Sequence, residues 1–359
     1  MSVAFDARAR IEAALSIARR VRDPLDPLGV EARAQLLPAS GLSREGLELA
    51  LAQHLETEAS AIERVRLLAW AKPSERCHVV LSANVVTAAL RAIVLGLVSA
   101  PHVLVKPSRR DPALARLLVC HIAPLLATGS ITLVESLAAE AGDQVHAYGS
   151  DDTLVAIAGA LPEGARLRGH GSGFGVAVID ETDDLEAAAK ALARDIVAFD
   201  QRGCLSPRVA IALGGAARAR SVALALSEAL ADLGKKIPRG QLDDGTATEL
   251  AQFRQTMRSL GEVWEERDHL VAFDPAPAHL SGGLLLPPSA RALSILACSD
   301  LSVAAAMLAP LSRWITTLGI GSLEDLGAYD ALRPRGARVA RLGTMQKPPL
   351  DGPVDERER

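Results

Sequence analysis

The sequence contains little cysteine, and its cysteines form no recognised pattern. Cys77, Cys120, Cys204 and Cys298 lie far apart, without a C-x-x-C pair or a Cys/His metal spacing. The pattern therefore supports neither a disulfide framework nor a zinc site, and no metal site is predicted. Because disulfides are rare in reducing compartments, we predict that the protein is cytoplasmic.

Aromatic residues and excess positive charge are also scarce. Only ten of the 359 residues are Phe, Trp or Tyr, and the net charge is −4. No basic stripe with interleaved aromatics is present, so no nucleic-acid partner is expected. A small-molecule partner fits this composition better.

Long uninterrupted hydrophobic runs are missing. The longest apolar stretch, residues 85–105, is broken by Arg91 and Pro101, and it predicts a buried helix followed by a strand rather than a membrane span. Residues 1–22 carry acidic side chains among the arginines and have no continuous apolar core. They do not resemble a signal peptide.

Apolar residues, in contrast, make up 49% of the chain, which is ample for large cores. Four regions are predicted: a helical N-terminal segment (1–70), an α/β domain (71–180), a second α/β domain (181–335), and a C-terminal strand with a mobile tail (336–359). In the first α/β domain, strand and helix patterns alternate, which predicts a parallel sheet covered on both faces. Ligands on such sheets collect at the carboxyl ends of the strands.

The predicted elements can be stated as ranges. The strands are 77–82, 102–105, 131–135, 145–148, 166–169, 175–180, 208–213 and 270–273, with an apolar segment at 292–297 and a last strand from 338. The helices are 6–22, 43–55, 86–99, 111–127, 151–161, 184–198, 216–233, 246–261 and 301–318, with a proline-rich connection between the first two.

The most informative segment is Phe-Asp-Gln-Arg-Gly-Cys-Leu-Ser-Pro, residues 199–207. It places Cys204 on a turn bounded by Gly and Pro, between a predicted helix and a predicted strand. A thiol on such a turn can act as a nucleophile, and Arg202 and Arg208 would favour the thiolate if they face it. The alternative interpretation is a small buried hydrophobic residue.

Three further segments carry polar groups. Asn84 follows the first strand and precedes a helix, where a plain N-cap is the default explanation. Lys106, Ser108 and Arg109 end a strand, and this group of charges indicates either a solvated surface or a nucleotide phosphate site. The glycine-rich run 169–175 matches no phosphate-loop motif, so it is either a flexible connection or a close approach of the backbone to a ligand.

In this order, the motifs resemble the aldehyde dehydrogenase superfamily, and within it the fatty acyl-CoA reductase branch typified by the bacterial luminescence reductase subunit. The matching segments are Asn84, Lys106-Pro107-Ser108, Tyr148-Gly149-Ser150, the glycine-rich run, Gln201 to Pro207, and Arg341 to Asp351. The resemblance covers residues 75–355. It implies an α/β aldehyde-dehydrogenase-like fold, with two parallel-sheet domains (cofactor-binding and catalytic) after a helical N-terminal segment.

The resemblance also implies roles for individual residues. Cys204 matches the nucleophile that forms an acyl-enzyme thioester, and Asn84 matches the amide that binds the oxyanion. Lys106 matches the lysine that bonds the adenosine ribose, and Ser108 continues that segment. Cofactor-binding residues are also expected at Gly149 and Ser150, which match the pyrophosphate turn, and at Gly171 in the glycine-rich run. Asp151 and Asp152 are awkward there, because carboxylates at a helix start oppose a phosphate.

Two departures from the wider superfamily are informative. Where hydrolytic members have a water-activating Glu, 34 residues before the cysteine, this chain has His170; its role as a proton shuttle or a bystander is open. Three residues after Lys106, where many NAD-preferring members have a Glu, this chain has Arg109, followed by Arg110. The first departure favours reduction over hydrolysis, and the second favours NADPH, with NADH possible.

The sequence thus predicts NADPH-dependent reduction of an acyl-CoA to an aldehyde through a Cys204 acyl-enzyme. A homo-oligomer with an interface at residues 338–345, and a partner subunit that supplies the acyl group, are further expectations from the resemblance. The motif that fixes the nicotinamide ribose is not found, although residues 286–288 fall where it would be sought, and the N-terminal end is short for this branch. A non-catalytic protein of the same fold and a reductase of acyl phosphates are therefore kept as alternatives.

Overall fold

The computed structural model describes residues 6–71, 73–275, 284–324, 326–334 and 336–350. By its internal contacts the chain divides into two units. Unit 1 holds the residues up to Ser40, Leu47–Ser172 and the two residues after Pro348, and unit 2 holds Gly41–Gly46 and Gly173–Pro348. The predicted tail, residues 351–359, lies outside the described residues.

Unit 1 is built on five parallel strands. They are β1 (Arg76–Val80), β2 (His102–Lys106), β3 (Ile131–Leu133), β4 (Gln144–Tyr148) and β5 (Arg166–His170). All five were predicted to within two residues and are confirmed. Their order in the sheet is β3-β2-β1-β4-β5. From β1 the chain adds strands first on one side (β2, β3) and then on the other (β4, β5), so the strand order changes direction between β1 and β4. Such a reversal opens a crevice at the carboxyl ends of the strands.

α-Helices also form in the described residues of this part of the chain. They are α1 (Ala7–Arg22), α2 (Pro27–Ser40), α3 (Arg44–His54), α4 (Ala61–Trp70), α5 (Ala88–Ser99), α6 (Ala113–Ile122) and α7 (Asp151–Ala160). Helix α1 buries Ile11, Leu15 and Ala18 at helical spacing and packs on α5 and α6. Helices α2 and α4 lie in the segment predicted to be helical, residues 1–70, but were not predicted as separate helices. The proline-rich connection forms α2, in which Pro27 occupies the first helical position, which tolerates proline, and Pro38 lies in the last turn.

Unit 2 is built on a seven-stranded sheet. Its strands are β6 (Phe174–Ile179), β7 (Pro207–Leu213), β8 (Glu262–Glu266), β9 (His269–Asp274), β10 (Ala292–Cys298), β11 (Ile315–Ile320) and β12 (Arg338–Arg341). The order is β12-β11-β6-β7-β10-β9-β8, and every pair is parallel except β8 with β9, which is antiparallel. The α-helices among the described residues of this unit are α8 (Leu185–Val197), α9 (Gly215–Lys236), α10 (Asp244–Leu260) and α11 (Leu301–Leu308).

The prediction of one helix over residues 301–318 was wrong. Helix α11 ends at Leu308, a 3₁₀ turn containing Pro310 follows, and Ile315–Ile320 form the fully buried strand β11 between β6 and β12. A short apolar run reads alike as a buried helix and as a buried strand. Strand β8, at the antiparallel edge, was not predicted.

No helix in the described part of the chain is both long enough and apolar enough to cross a membrane. Likewise, no group of three His, Cys, Asp or Glu side chains suited to holding a metal ion occurs among the described residues.

His146 in β4 gives unit 1 a pH-dependent stability. Its ring is buried, with Nε2 3.3 Å from Gln144 Oε1, and burial together with the charge of Arg168 lowers its pKa to about 4. The unfolded chain therefore binds a proton below pH 6.5 that the folded unit binds only near pH 4. We expect stability to fall as the pH drops through this window, by about 2.5 kcal/mol at pH 4.5.

Urea denaturation at pH 7.5 and 4.5 measures this loss, and His146→Phe, which cannot titrate, is the control. The variant should lose clearly less stability than the wild type between the two pH values. An equal loss in both proteins would show that His146 is not responsible.

Candidate active site

Cys204 lies on a turn at the amino-terminal edge of the unit 2 sheet. Helix α8, capped by the Asp184 side chain, leads into a 3₁₀ turn over Ala198–Gln201, and Gly203 to Ser206 complete the connection to β7. Phe199, Asp200 and Gln201 have left-handed backbone, with φ of 54°, 52° and 65°. Three such non-glycine residues in succession persist only where surrounding contacts hold them in place.

The Gln201 side chain provides the first of these contacts. It is fully buried, and its amide nitrogen donates to the carbonyl oxygens of Pro207 (2.7 Å) and Ala292 (2.6 Å). Its amide oxygen accepts from the Ala292 N–H at 2.8 Å. Gln201 therefore ties the turn to the first residues of both β7 and β10.

Asp200 provides the second contact through a buried ion pair with Arg291. The guanidinium nitrogens Nε and Nη2 of Arg291 lie 2.9 and 2.6 Å from Asp200 Oδ1, and both side chains are 1% exposed. The other carboxylate oxygen accepts from the Gly240 N–H at 3.0 Å, and Arg291 also donates to the Ile237 carbonyl. Arg291 itself has a left-handed φ of 56°, so both partners are held in uncommon backbone conformations.

Gly175, the last residue of the glycine-rich run, contacts the backbone of the Cys204 turn. A Cβ atom at Gly175 would lie 2.6 Å from the Leu205 carbonyl oxygen and 2.7 Å from Met345 Cε, and the Gly175 N–H donates to the Ser206 carbonyl at 2.7 Å. Gly175 therefore permits a close approach of protein backbone. Of the two interpretations of this run, the close approach fits Gly175, but the neighbouring group is the Cys204 turn.

The Cys204 turn is also contacted by β11 and by the C-terminal segment 341–350, which carries part of the resemblance. Gln346 donates to the Ser206 hydroxyl at 2.9 Å, and Thr316 donates to the Cys204 carbonyl oxygen. The segment is anchored by Asp195, whose carboxylate accepts from the backbone N–H groups of Gly343 (2.6 Å) and Met345 (2.9 Å). Burial raises the pKa of Asp195 to about 7, against the lowering effect of these donors.

Cys204 differs from the other cysteines in its surroundings. It is partly exposed and in no disulfide, whereas burial raises the pKa of the Cys77 thiol to about 12 and that of Cys298 to about 11. Cys120 is exposed on α6. Buried thiols of high pKa are poor nucleophiles, so among the four cysteines Cys204 combines access with a built turn.

The two arginines beside Cys204 bond the backbone around the turn. Arg202 donates to the carbonyl oxygens of Gly41 (3.1 Å) and Gln241 (3.3 Å), and Arg208 donates to that of Pro287. Burial lowers the pKa of Arg208. Pro287 belongs to the segment where a nicotinamide-ribose motif was sought, and the structure ties this segment to β7.

Asn84 lies in unit 1, in the loop after β1. The prediction that it caps the next helix was wrong, because α5 begins at Ala88 with Thr87 at the cap position. The β-branched residues before Thr87 form a turn, closed by the bond from the Ala88 N–H to the Val85 carbonyl. The Asn84 side chain is thereby left out of the helix, and its Oδ1 accepts from Arg110 at 3.4 Å.

Lys106, Ser108 and Arg109 are brought together at the carboxyl end of β2, where they line a cavity of about 360 Å³. Its full lining is Lys106, Pro107, Ser108, Arg109, Pro112, Arg116, Val134 and Glu135. Arg116 and Glu135 were not singled out from the sequence. Glu135 lies two residues after the end of the third strand, so the rule that ligands collect at strand ends would have pointed to it. Three cations in one concave site suit a phosphorylated ligand such as a nucleotide.

Gly149 and Ser150 lie where β4 meets α7. The Ser150 hydroxyl accepts from the Thr153 N–H at 3.3 Å and caps the helix, and the Gly149 N–H donates to the His170 carbonyl at 3.1 Å. The Asp151 carboxylate, which looked awkward for a phosphate site, accepts from the Ser172 N–H at 2.9 Å. The turn therefore has the geometry of a capped helix start.

His170 is placed differently from the expectation of a loop residue. It is the last residue of β5, it is buried, and its ring stacks on Tyr148 with centroids 4.3 Å apart and planes 7° from parallel. Gly171 follows it in the connection to unit 2. Asn84, Lys106, Gly149 and His170 thus lie at the carboxyl ends of four parallel strands of one sheet.

The fold is that of the aldehyde dehydrogenases. Solved structures that resemble the chain include an oxidoreductase from Marinobacter aquaeolei (TM-score 0.71, 12% identity, 97% of this chain and 80% of that one). An NAD-dependent aldehyde dehydrogenase from Sinorhizobium meliloti gives a TM-score of 0.70 at 15% identity, over 94% of this chain and 74% of that one. An NAD-dependent benzaldehyde dehydrogenase from Corynebacterium glutamicum gives 0.68 at 16%, over 93% and 80%. These likenesses confirm the predicted fold class.

The family model "Acyl-CoA reductase (LuxC)" matches residues 41–355. The chain therefore belongs to the LuxC acyl-CoA reductase family, NAD(P)-linked oxidoreductases of the aldehyde dehydrogenase fold, and the predicted family is confirmed. No curated protein matches the sequence significantly.

Proposed function

We propose that this protein reduces an acyl-CoA thioester to an aldehyde through a covalent intermediate on Cys204, with NADPH as the preferred reductant. The observation that carries the proposal is the Cys204 turn. Its partly exposed thiol follows three strained residues, 199–201, which the buried side chains of Asp200, Gln201 and Arg291 hold in place. A cysteine that only filled space would not need such support, because strain of this kind costs about 1–3 kcal/mol per residue.

The proposed reaction begins with the Cys204 thiol on the turn. The Cys204 thiolate attacks the thioester carbonyl, the carbon–sulfur bond to CoA breaks, and CoA leaves as the thiolate. The family resemblance is the basis for assigning the Cys204 backbone N–H and the Asn84 amide as the donors to the oxyanion of the tetrahedral intermediate. A reduced nicotinamide held by the unit 1 residues would supply a hydride to the acyl carbon; the carbon–sulfur bond to Cys204 then breaks, which releases the aldehyde and regenerates the Cys204 thiolate.

Reduction rather than hydrolysis is favoured by His170. Superfamily members that hydrolyse their acyl-enzyme have a carboxylate at this position, whereas His170 is buried in a strand end and stacked on Tyr148. With no carboxylate there to activate water, the thioester should survive until hydride transfer. A role for His170 in moving protons is kept as a secondary proposal.

The cofactor site that we propose in unit 1 has two parts. Lys106, Ser108 and Arg109 would hold the adenosine ribose and its phosphate in the charged cavity, and the turn at Gly149 and Ser150, with Gly171, would lie along the pyrophosphate. The cavity supports this assignment, because its lining combines cations with a volume suited to part of a nucleotide.

Partner and compartment assignments are also proposals. The family supports an acyl-CoA substrate. Assembly as a homo-oligomer through residues 338–345, delivery of the acyl group by a partner subunit, and a cytoplasmic location are proposed from the resemblance and the cysteine pattern.

A coupled assay tests the reaction. The purified protein is mixed with a long-chain or a short-chain acyl-CoA and NADPH or NADH, and nicotinamide absorbance is followed together with free CoA thiol. One CoA released for each nicotinamide oxidised would support the proposal. Oxidation with an acyl phosphate instead of acyl-CoA would identify the other class of donor, and no oxidation with any donor would favour a non-catalytic protein.

Asn84→Ala tests the oxyanion assignment. Because loss of one oxyanion donor typically costs 10²–10³ in rate, we expect kcat to fall about 100-fold with a smaller change in KM for the acyl-CoA. Steady-state kinetics measure both constants, and Asn84→Asp shows whether the donating N–H₂ is what matters. A kcat within threefold of wild type in Asn84→Ala would remove Asn84 from the mechanism.

A further inference from the structure

The cavity at the carboxyl end of β2 carries charges of both signs. Lys106, Arg109 and Arg116 contribute cations and Glu135 contributes a carboxylate. Arg109, Arg116 and Glu135 are all exposed, so they are open to a ligand entering from solvent. A ligand of this cavity would therefore meet three cations and one carboxylate.

Three different elements supply these side chains. Arg109 lies in the loop after β2, Arg116 lies in the first turns of α6, and Glu135 follows β3. The bond from the Val134 N–H to the Val105 carbonyl, 2.9 Å long, holds the end of β3 beside the end of β2. The sheet order therefore brings Glu135 to the same cavity as the two arginines.

The chemistry of the three groups differs toward the two nicotinamide cofactors. The 2′-phosphate of NADPH carries a charge of about −1.5 to −2 at pH 7, as phosphate monoesters do, and guanidinium groups bind it by paired hydrogen bonds. NADH has a 2′-hydroxyl in place of this phosphate. The hydroxyl can donate a hydrogen bond to a carboxylate, whereas the same carboxylate repels a phosphate.

We infer that Arg116 and Glu135 set the cofactor preference of this enzyme: Arg116, with Arg109, binds the 2′-phosphate of NADPH, and Glu135 opposes it and bonds the ribose hydroxyls of NADH. This inference rests on the proposed function, because it needs a nucleotide in the cavity. It predicts an enzyme that prefers NADPH but accepts NADH, with Glu135 limiting the discrimination.

Arg110 has a different place, although it adjoins Arg109 in the sequence. It does not contribute to the cavity lining, and its guanidinium donates to Asn84 Oδ1 at 3.4 Å. Of the two arginines after Lys106 and Ser108, only Arg109 faces the cavity. Arg110 is therefore the matched control for the loss of a nearby positive charge.

Direct binding of NADPH and NADH, measured by their fluorescence without any acyl donor, tests the inference. We expect Arg116→Gln to weaken NADPH binding about tenfold, the size of one charge-assisted hydrogen bond, and to change NADH binding less than twofold. Glu135→Gln should tighten NADPH binding about fivefold and weaken NADH binding about threefold. Arg110→Gln should leave the ratio of the two dissociation constants within twofold.

The outcomes distinguish a wrong assignment of Arg116 and Glu135 from a wrong assignment of the cofactor site. If the wild type binds cofactor but neither Arg116→Gln nor Glu135→Gln changes the ratio, Arg116 and Glu135 do not set the preference and the inference is overturned. If Arg110→Gln shifts the ratio as much as Arg116→Gln, general positive charge rather than the cavity is responsible, and the inference is again overturned. If the wild type binds neither nucleotide, the proposed cofactor site itself fails.

Discussion

Replacing Cys204 with alanine should abolish acyl-CoA reduction, lowering turnover by on the order of 10⁴-fold or more, because the covalent intermediate has no other attacking atom. Binding of NADPH, proposed to take place in unit 1, should be unchanged. Turnover is measured by nicotinamide absorbance, and acylation of the protein is measured by mass spectrometry after addition of acyl-CoA alone. The wild type should gain one acyl group and the variant none.

Cys120→Ala is the matched control, since Cys120 is the other cysteine exposed to solvent. It should retain both acylation and turnover. A Cys204→Ala protein that still turned over within tenfold of wild type, or a wild-type protein acylated at Cys120, would contradict the mechanism.

Replacing Arg291 with methionine should destabilise unit 2 by about 3–5 kcal/mol, the usual cost of breaking a buried ion pair by removing one partner. The variant would leave the buried Asp200 carboxylate without the Arg291 guanidinium and with only Arg202, 3.8 Å from Oδ2, as an ion-pair partner. Urea denaturation followed by circular dichroism measures the loss. The rate of Cys204 alkylation should also change, because the turn would lose one of its anchors.

Two comparisons make this test specific. Arg220→Met breaks an ion pair with Glu262 in which both side chains are about half exposed, and it should cost no more than about 1 kcal/mol. Asp200→Asn combined with Arg291→Met also removes the buried carboxylate charge and should recover part of the stability. A loss under 1 kcal/mol in Arg291→Met would show that the pair does not hold the turn.

Taken together, Gln201 and Asp200 explain why the motif around the cysteine includes polar residues in a buried place. Each uses its side chain to satisfy groups on another element, Gln201 on β10 and Asp200 on Arg291 and Gly240. The strained turn is therefore a consequence of contacts made far away in the sequence.

Much of the fold could be predicted from local patterns. The strands of unit 1 and helix α8 before the cysteine were correct, because alternation of apolar runs with helical periodicity is a local property. The errors fall where local patterns are ambiguous: the buried strand β11 was taken for the end of a helix, and α2 was hidden by its prolines.

The candidate site divides in the same way. Cys204, Lys106 and Arg109 were identified in the sequence because each stands in a short motif at the end of a predicted element. Arg116, Glu135 and Arg291 belong to no motif. They matter because the sheets place them beside residues that are distant in the chain.

The sequence by itself therefore identified the family, the candidate nucleophile and the parallel sheet of unit 1, since motif order and periodicity are properties of the linear chain. Only the tertiary structure decided which charges share the cavity with Lys106, that Gly175 makes room for the Cys204 turn, and that Arg291 neutralises Asp200. The physical reason is that burial and charge pairing depend on distances across the folded chain. Residues 91 positions apart, such as Asp200 and Arg291, acquire an interaction only when both are buried together.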